Sequence, residues 1–206
     1  MGPFPLPRVL FLDACVLYPA PTRDLFMRLA LDPRLGIRLK WSQRVQEEWL
    51  SHLLEHRADL NEDQRNRLRQ TPALMAQALA FQEPLVEGYE HLIPQVRLPD
   101  PDDHHVVAAA FWGGAEAILT FNLQDFPKEA LEPWDLVAIH PDEYLLGLAE
   151  SLIRRNGLPE PLLQLLREQR EALKNPPLDR EAFLEKLAHT GLEGFVRLLQ
   201  PFKNYL

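Results

Sequence analysis

Short apolar runs that alternate with helix-patterned segments limit what this chain can fold into. Val9-Leu10-Phe11-Leu12 is apolar throughout and stops at Asp13. A run with no polar alternation reads as a strand covered on both faces, the kind found inside a parallel sheet. Residues 37–41, 117–121 and 136–139 are further short runs of this type. Pro19-Ala20-Pro21 reads as a loop. Thr22 is placed to cap a helix carrying Leu25, Phe26, Leu29 and Ala30, which Asp32-Pro33 stops. Ser42 can cap a helix over residues 43–56, and another fits 62–81. Asp100 and Pro101 can open a helix that reaches Trp112 and ends at Gly113-Gly114. Strands alternating with helices predict an α/β fold with a parallel sheet, whose sites lie beyond the carboxyl ends of the strands.

From Pro141 the pattern changes to helices separated by Asn156-Gly157, Asn175-Pro176-Pro177 and Gly191. A boundary is expected between residues 141 and 150. We divide the chain into a first domain, 1–145, and a helical C-terminal extension, 146–206, whose apolar residues read as packing rather than as a partner surface. No run of apolar residues approaches the ~20 needed to span a bilayer. The first residues, 1–8, lack a basic stretch followed by a long apolar segment, so no signal peptide is expected. The single cysteine, Cys15, rules out an internal disulfide and a cysteine-based zinc cluster. These readings predict a cytoplasmic protein without a membrane partner. A net charge of −8 does not attract nucleic acid through the overall field. A nucleic-acid function would need a local basic patch or divalent cations.

Candidate chemistry lies in the acids. Asp13 ends an apolar strand, where it either hydrogen-bonds the following turn or serves as a ligand at the sheet edge. Glu47 and Glu48 lie on the helix after Trp41, and Glu48 flanks the apolar face of Val45, Trp49 and Leu53. In Asp100-Pro101-Asp102-Asp103, Asp100 suits an N-cap and the other acids favour the helix dipole. Asp103 also shares a face with Val107 and Ala110 on a helix that is apolar all round, so it reads as functional, unlike Asp102. Asn122 and Asp125 follow the run at 117–121, as oxygen donors or turn anchors. Together these groups could converge at one edge of the sheet. Converging carboxylates repel one another and need a cation, and an all-oxygen donor set selects Mg²⁺ or Mn²⁺ over zinc.

Rival chemistries have weaker support. His52-Leu53-Leu54-Glu55-His56 fits a helical zinc-protease pattern but reads as a solvated helix face. His104 and His105 are adjacent, point apart and cannot share a metal on one helix face. No glycine-rich dinucleotide fingerprint follows the first strand. Cys15 stands where a phosphatase of the dehalogenase type would carry its second acid.

The segments 9–17 (VLFLDACVL), 47–50 (EEWL), 100–110 (DPDDHHVVAAA) and 119–127 (LTFNLQDFP) resemble, in order and spacing, the PIN-domain family, specifically its VapC-like toxin ribonuclease branch. The resemblance covers roughly residues 8–140. It implies a PIN-like three-layer fold with a central parallel sheet flanked by helices, and an Mg²⁺- or Mn²⁺-dependent endoribonuclease acting on single-stranded RNA. Asp13, Glu48 and Asp103 match the family's first three acids, with Glu47 as the alternative register for the second. Asn122 stands at the usual fourth acid, Asp125 matches the following aspartate, and Cys15 replaces the Asn or hydroxyl residue often found there. The implied metal set is Asp13, Glu48, Asp103, Asn122 and Asp125, with Asp13, Glu48, Asp103 and Asp125 as the catalytic acids. Arg23, His104 and Lys128 are candidate phosphate contacts. A small cognate antitoxin is the implied partner, and self-association is left open. The alternative is a PIN-like module that has lost catalysis and binds only RNA or protein.

Overall fold

The computed structural model describes residues 6–206. In chain order its regular elements begin with β1 (Val9–Leu12), α1 (Ala14–Leu17), α2 (Ala20–Leu31), β2 (Arg38–Ser42) and α3 (Gln43–His56). They continue with α4 (Glu62–Ala78), β3 (Leu85–Val86), α5 (His104–Trp112), β4 (Ala117–Leu119), α6 (Lys128–Leu131) and β5 (Val137–Ile139). The chain ends with α7 (Pro141–Asn156), α8 (Glu160–Ala172), α9 (Arg180–Ala188) and α10 (Glu193–Leu199). The residues group into two compact units. One comprises Pro7–Tyr18 and Ile37–Ile139, and the other Leu6, Pro19–Gly36 and His140–Leu206.

The first unit is built on a five-stranded sheet in the order β3-β2-β1-β4-β5, parallel at every pairing. This is the expected α/β architecture of a parallel sheet flanked by helices. β1 is central, with Leu10 opposite both Leu39 and Ala117. Leu10, Phe11 and Leu12 are completely buried, which explains the unbroken apolar run. Each such side chain contributes about 1.5–3 kcal/mol on burial. α5 lies against β2, β3 and β4, and its residues from His105 to Ala110 are all buried. Ser42 ends β2 and starts α3 as expected, its hydroxyl accepting from Val45 N at 3.3 Å. Because the strands are parallel, Asp13, Ser42 and Thr120 all emerge at the same edge.

Several local expectations are corrected. Thr22 is not an N-cap. The helix begins three residues earlier, with Pro19 at the cap and Pro21 in its first turn, a position where the missing N–H costs nothing. Thr22 is instead fully buried and donates to Thr190 Oγ1 at 2.9 Å. The helix expected over 62–81 ends at Ala78 and is followed by a 3₁₀ turn. The helix expected from Pro101 opens with a 3₁₀ turn, Pro101–Asp103, before α5. The two-residue strand β3 carries too little sequence to be anticipated.

In the second unit, α2 lies with α8 and α9, and α7 with α10. Leu162, Leu166, Phe183, Leu187, Phe195 and Leu199 are all buried, so the apolar residues of the C-terminal helices form core. Asp142 accepts from Gly194 N and Phe195 N at 2.9 and 2.7 Å, capping α10 from α7. The unit begins its C-terminal part at His140 and takes in residues 19–36, so its membership is not the contiguous 146–206 span expected from the sequence. No helix among the described residues is long and apolar enough to cross a membrane.

Candidate active site

Asp13 is held at the end of β1 by groups from two strands. Its Oδ1 accepts from Ala14 N at 2.6 Å, which caps the short α1. Its Oδ2 accepts from the Thr120 hydroxyl at 2.7 Å and from the Cys15 thiol at 3.0 Å. Thr120 is fully buried at the end of β4, and its Oγ1 in turn accepts from Asn122 N at 3.0 Å. Cys15 Sγ accepts from Phe121 N at 3.2 Å. Burial and the neighbouring Asp13 charge push the Cys15 thiol far above its ordinary range, so it is a neutral donor and not a thiolate. Asp13 itself is 6% exposed. The structural reading of this residue holds: it caps the turn after β1, with its carboxyl fixed at the sheet edge.

Glu48 is reached from α3. Its Oε1 meets Arg44 Nε at 3.1 Å and His105 Nε2 at 3.0 Å. Burial opposes its ionisation, but His105 and Arg44 outweigh that and hold the carboxyl below the usual range. Glu47 is exposed and bonded to Gln43. Of the adjacent pair, Glu48 is thus the half-buried one, tied to α5 through His105.

Asp103 is half-buried at the start of α5. Its carboxylate has no hydrogen bond or ion pair among the described residues. Burial, then the charges of Asp13, Asp100, Asp125 and Glu48, push its carboxyl up to about 7. Four other acids from α3, the Asp100 turn and the ends of β1 and β4 therefore act on one carboxyl group.

No solved structure matches the chain. A model of the VapC50 C-terminal domain matches residues 141–201. A protein of Mycobacterium tuberculosis named "Putative ribonuclease VapC50" is 38% identical over 97 residues, covering 40% of this chain and 57% of that protein. The chain is similar to VapC50 proteins over these stretches.

The residues expected from the sequence are placed as follows. Asp13, Glu48, Asp103 and Asp125 share one electrostatic neighbourhood. Asn122 follows Thr120 with its side chain exposed. His104 Nε2 accepts from Leu98 N at 3.2 Å, which commits one ring nitrogen to the loop before α5. Lys128 is 79% exposed and pairs loosely with Glu132 at 3.6 Å. Arg23 belongs to the other compact unit and is 9% exposed. Burial lowers its pKa to about 10, and a guanidinium withdrawn from solvent is poorly placed to meet an RNA backbone. His105, Arg44 and Thr120 were not anticipated as partners of the acids. A lone polar residue on a helix that is otherwise apolar all round was the available signal for His105.

The chemistry of the donor set suits a hard divalent cation, since it offers carboxylate oxygens and a crowded, unpartnered Asp103 carboxyl. The acids do not form a closed cage: among the described residues no group of three or more His, Cys, Asp or Glu is arranged to hold a metal ion. His52, Glu55 and His56 therefore form no such group either. Mg²⁺ ordinarily keeps several waters and takes only one or two carboxylates from the protein, so an open arrangement is compatible with it.

The crowding at Asp103 has a pH consequence. Its carboxyl titrates near 7 in the fold and near ~4 in an unfolded chain. Its contribution to stability is complete below the unfolded value and is lost as pH rises through the folded one. With chelator present, the wild-type melting temperature should fall relative to Asp103→Asn between roughly pH 4 and 8. Thermal melts of both proteins across that window check this. Parallel curves would show that the acids do not act on Asp103.

Proposed function

We propose that this chain is an Mg²⁺- or Mn²⁺-dependent endoribonuclease that hydrolyses phosphodiester bonds of single-stranded RNA. We further propose that it is the toxin of a toxin–antitoxin pair, silenced by a small cognate antitoxin. The observation that carries the activity is the influence of four acids, Asp13, Asp100, Asp125 and Glu48, on the half-buried and unpartnered Asp103 carboxyl. A ribonuclease is also what the name of the Mycobacterium tuberculosis relative says of that protein.

Asp13, Glu48 and Asp103 would hold the cation, Asp125 would support it, and Asn122 could lend a neutral oxygen. A cation there supplies Lewis acidity, making water more acidic and offsetting charge on the phosphodiester. Thr120 and Cys15 keep the Asp13 carboxylate oriented towards the edge of the sheet. Lys128 and the solvent-facing part of His104 are the phosphate contacts of this proposal.

The second reading, a PIN-like module that binds without cutting, is favoured by Asn122 at a position usually acidic and by the open arrangement of the acids. Incubation of a labelled single-stranded RNA with Mg²⁺, Mn²⁺ or EDTA separates the two. Cleavage that chelator abolishes supports the nuclease. Binding without cleavage in either metal supports the inert module.

A further inference from the structure

We propose that His105 is a positioning residue of the acidic site, holding Glu48 so that one carboxylate oxygen is occupied and the other is left for a cation. The inference rests on the nuclease reading and adds a residue to it.

His105 is 1% exposed on a helix whose following residues, Val106 to Ala110, are all apolar and buried. An imidazole in such surroundings needs a hydrogen-bond partner. Its Nε2 has one, Glu48 Oε1 at 3.0 Å. Its Nδ1 has none among the described residues. The whole polar capacity of this buried ring is therefore spent on one carboxylate oxygen from a neighbouring helix.

Arg44 binds the same oxygen, at 3.1 Å, and reaches the Asp102 carbonyl at 3.3 Å. Both donors converge on Oε1, and Oε2 has no hydrogen bond among the described residues. The two donors differ in rigidity. Arg44 is 45% exposed and sits on a long, solvated side chain one turn from Glu48, so it can rearrange. His105 is fixed by packing and joins α5, which begins beside Asp103, to α3, which carries Glu48. It sets the placement of the second acid relative to the third. Partners that orient a metal-ligating carboxylate typically change metal affinity by 10–100-fold when removed.

The test is Mn²⁺ binding by calorimetry, with kcat and KM for RNA cleavage as a function of Mn²⁺. His105→Phe keeps the volume and removes the donor; His105→Asn is too short to reach Glu48; His105→Gln retains an N–H donor. Phe and Asn variants that fold, as read by circular dichroism, should bind Mn²⁺ about 10–100-fold more weakly. Their kcat should fall at low Mn²⁺ and recover at high Mn²⁺, with KM for RNA unchanged. His105→Gln should retain more affinity than either, Arg44→Ala should lose less, and in a Glu48→Ala background the His105 changes should add little. Wild-type Mn²⁺ affinity in the Phe and Asn variants, or a loss of equal size in the Glu48→Ala background, overturns the proposal. A wild-type chain that neither binds Mn²⁺ nor cleaves RNA overturns the nuclease reading itself.

Discussion

Asp103→Asn should lower metal-dependent RNA cleavage by about a thousandfold or more, an increase of about 4 kcal/mol in the barrier. The size follows from the position of the side chain. The Asp103 carboxylate has no hydrogen bond or ion pair among the described residues, while burial and the charges of Asp13, Asp100, Asp125 and Glu48 all raise its pKa. The amide keeps the shape and one oxygen but removes the charge a hard cation requires. The same change should stabilise the chelated fold at pH 8, because it relieves repulsion. Activity lost while stability rises separates a functional acid from a structural one. The check is single-turnover cleavage in saturating Mn²⁺, alongside thermal melts in chelator. Cleavage within tenfold of wild type would remove Asp103 from the chemistry.

Phe11→Ala should cost about 3–5 kcal/mol of stability in the sheet-bearing unit. Phe11 is completely buried in β1, between Lys40 of β2 and Ile118 of β4. Removing its ring leaves a cavity in the central strand, which few neighbours can collapse to fill. All four tryptophans, Trp41, Trp49, Trp112 and Trp134, lie in the sheet-bearing unit. Urea unfolding followed by tryptophan fluorescence therefore reports on that unit rather than on the C-terminal helices. A midpoint shift worth less than about 1 kcal/mol would mean that β1 is not the core strand described here.

The parallel sheet was legible because its physics is local. A strand buried on both faces must be apolar throughout, and Val9-Leu10-Phe11-Leu12 is. The helix starts at Ser42 and Asp100 were legible for the same reason, since a capping side chain needs only its own next turn; Asp100 accepts from Asp102 N at 2.9 Å. The Thr22 cap failed because three residues rich in proline were read as a loop, although proline is also favoured in a first helical turn. The grouping of residues 19–36 with residues 140–206 depends on contacts between segments far apart in the chain, which periodicity does not report. The acids could be chosen one by one from strand ends and helix faces. Their partners could not. His105 meets Glu48 across 57 positions of chain, and Thr120 meets Asp13 across 107. In the sequence His105 reads beside His104 only as half of a pair that cannot share a metal, and nothing local ties it to Glu48.

In the proposed nuclease Asp13 and Asp103 share one divalent cation, and Mn²⁺ titration calorimetry tests this most directly. Wild-type chain should bind Mn²⁺, and Asp13→Asn and Asp103→Asn should each weaken binding at least tenfold. The double variant should be little worse than either single one, because the residues serve the same ion. Wild-type binding no tighter than that of the double variant would contradict the account.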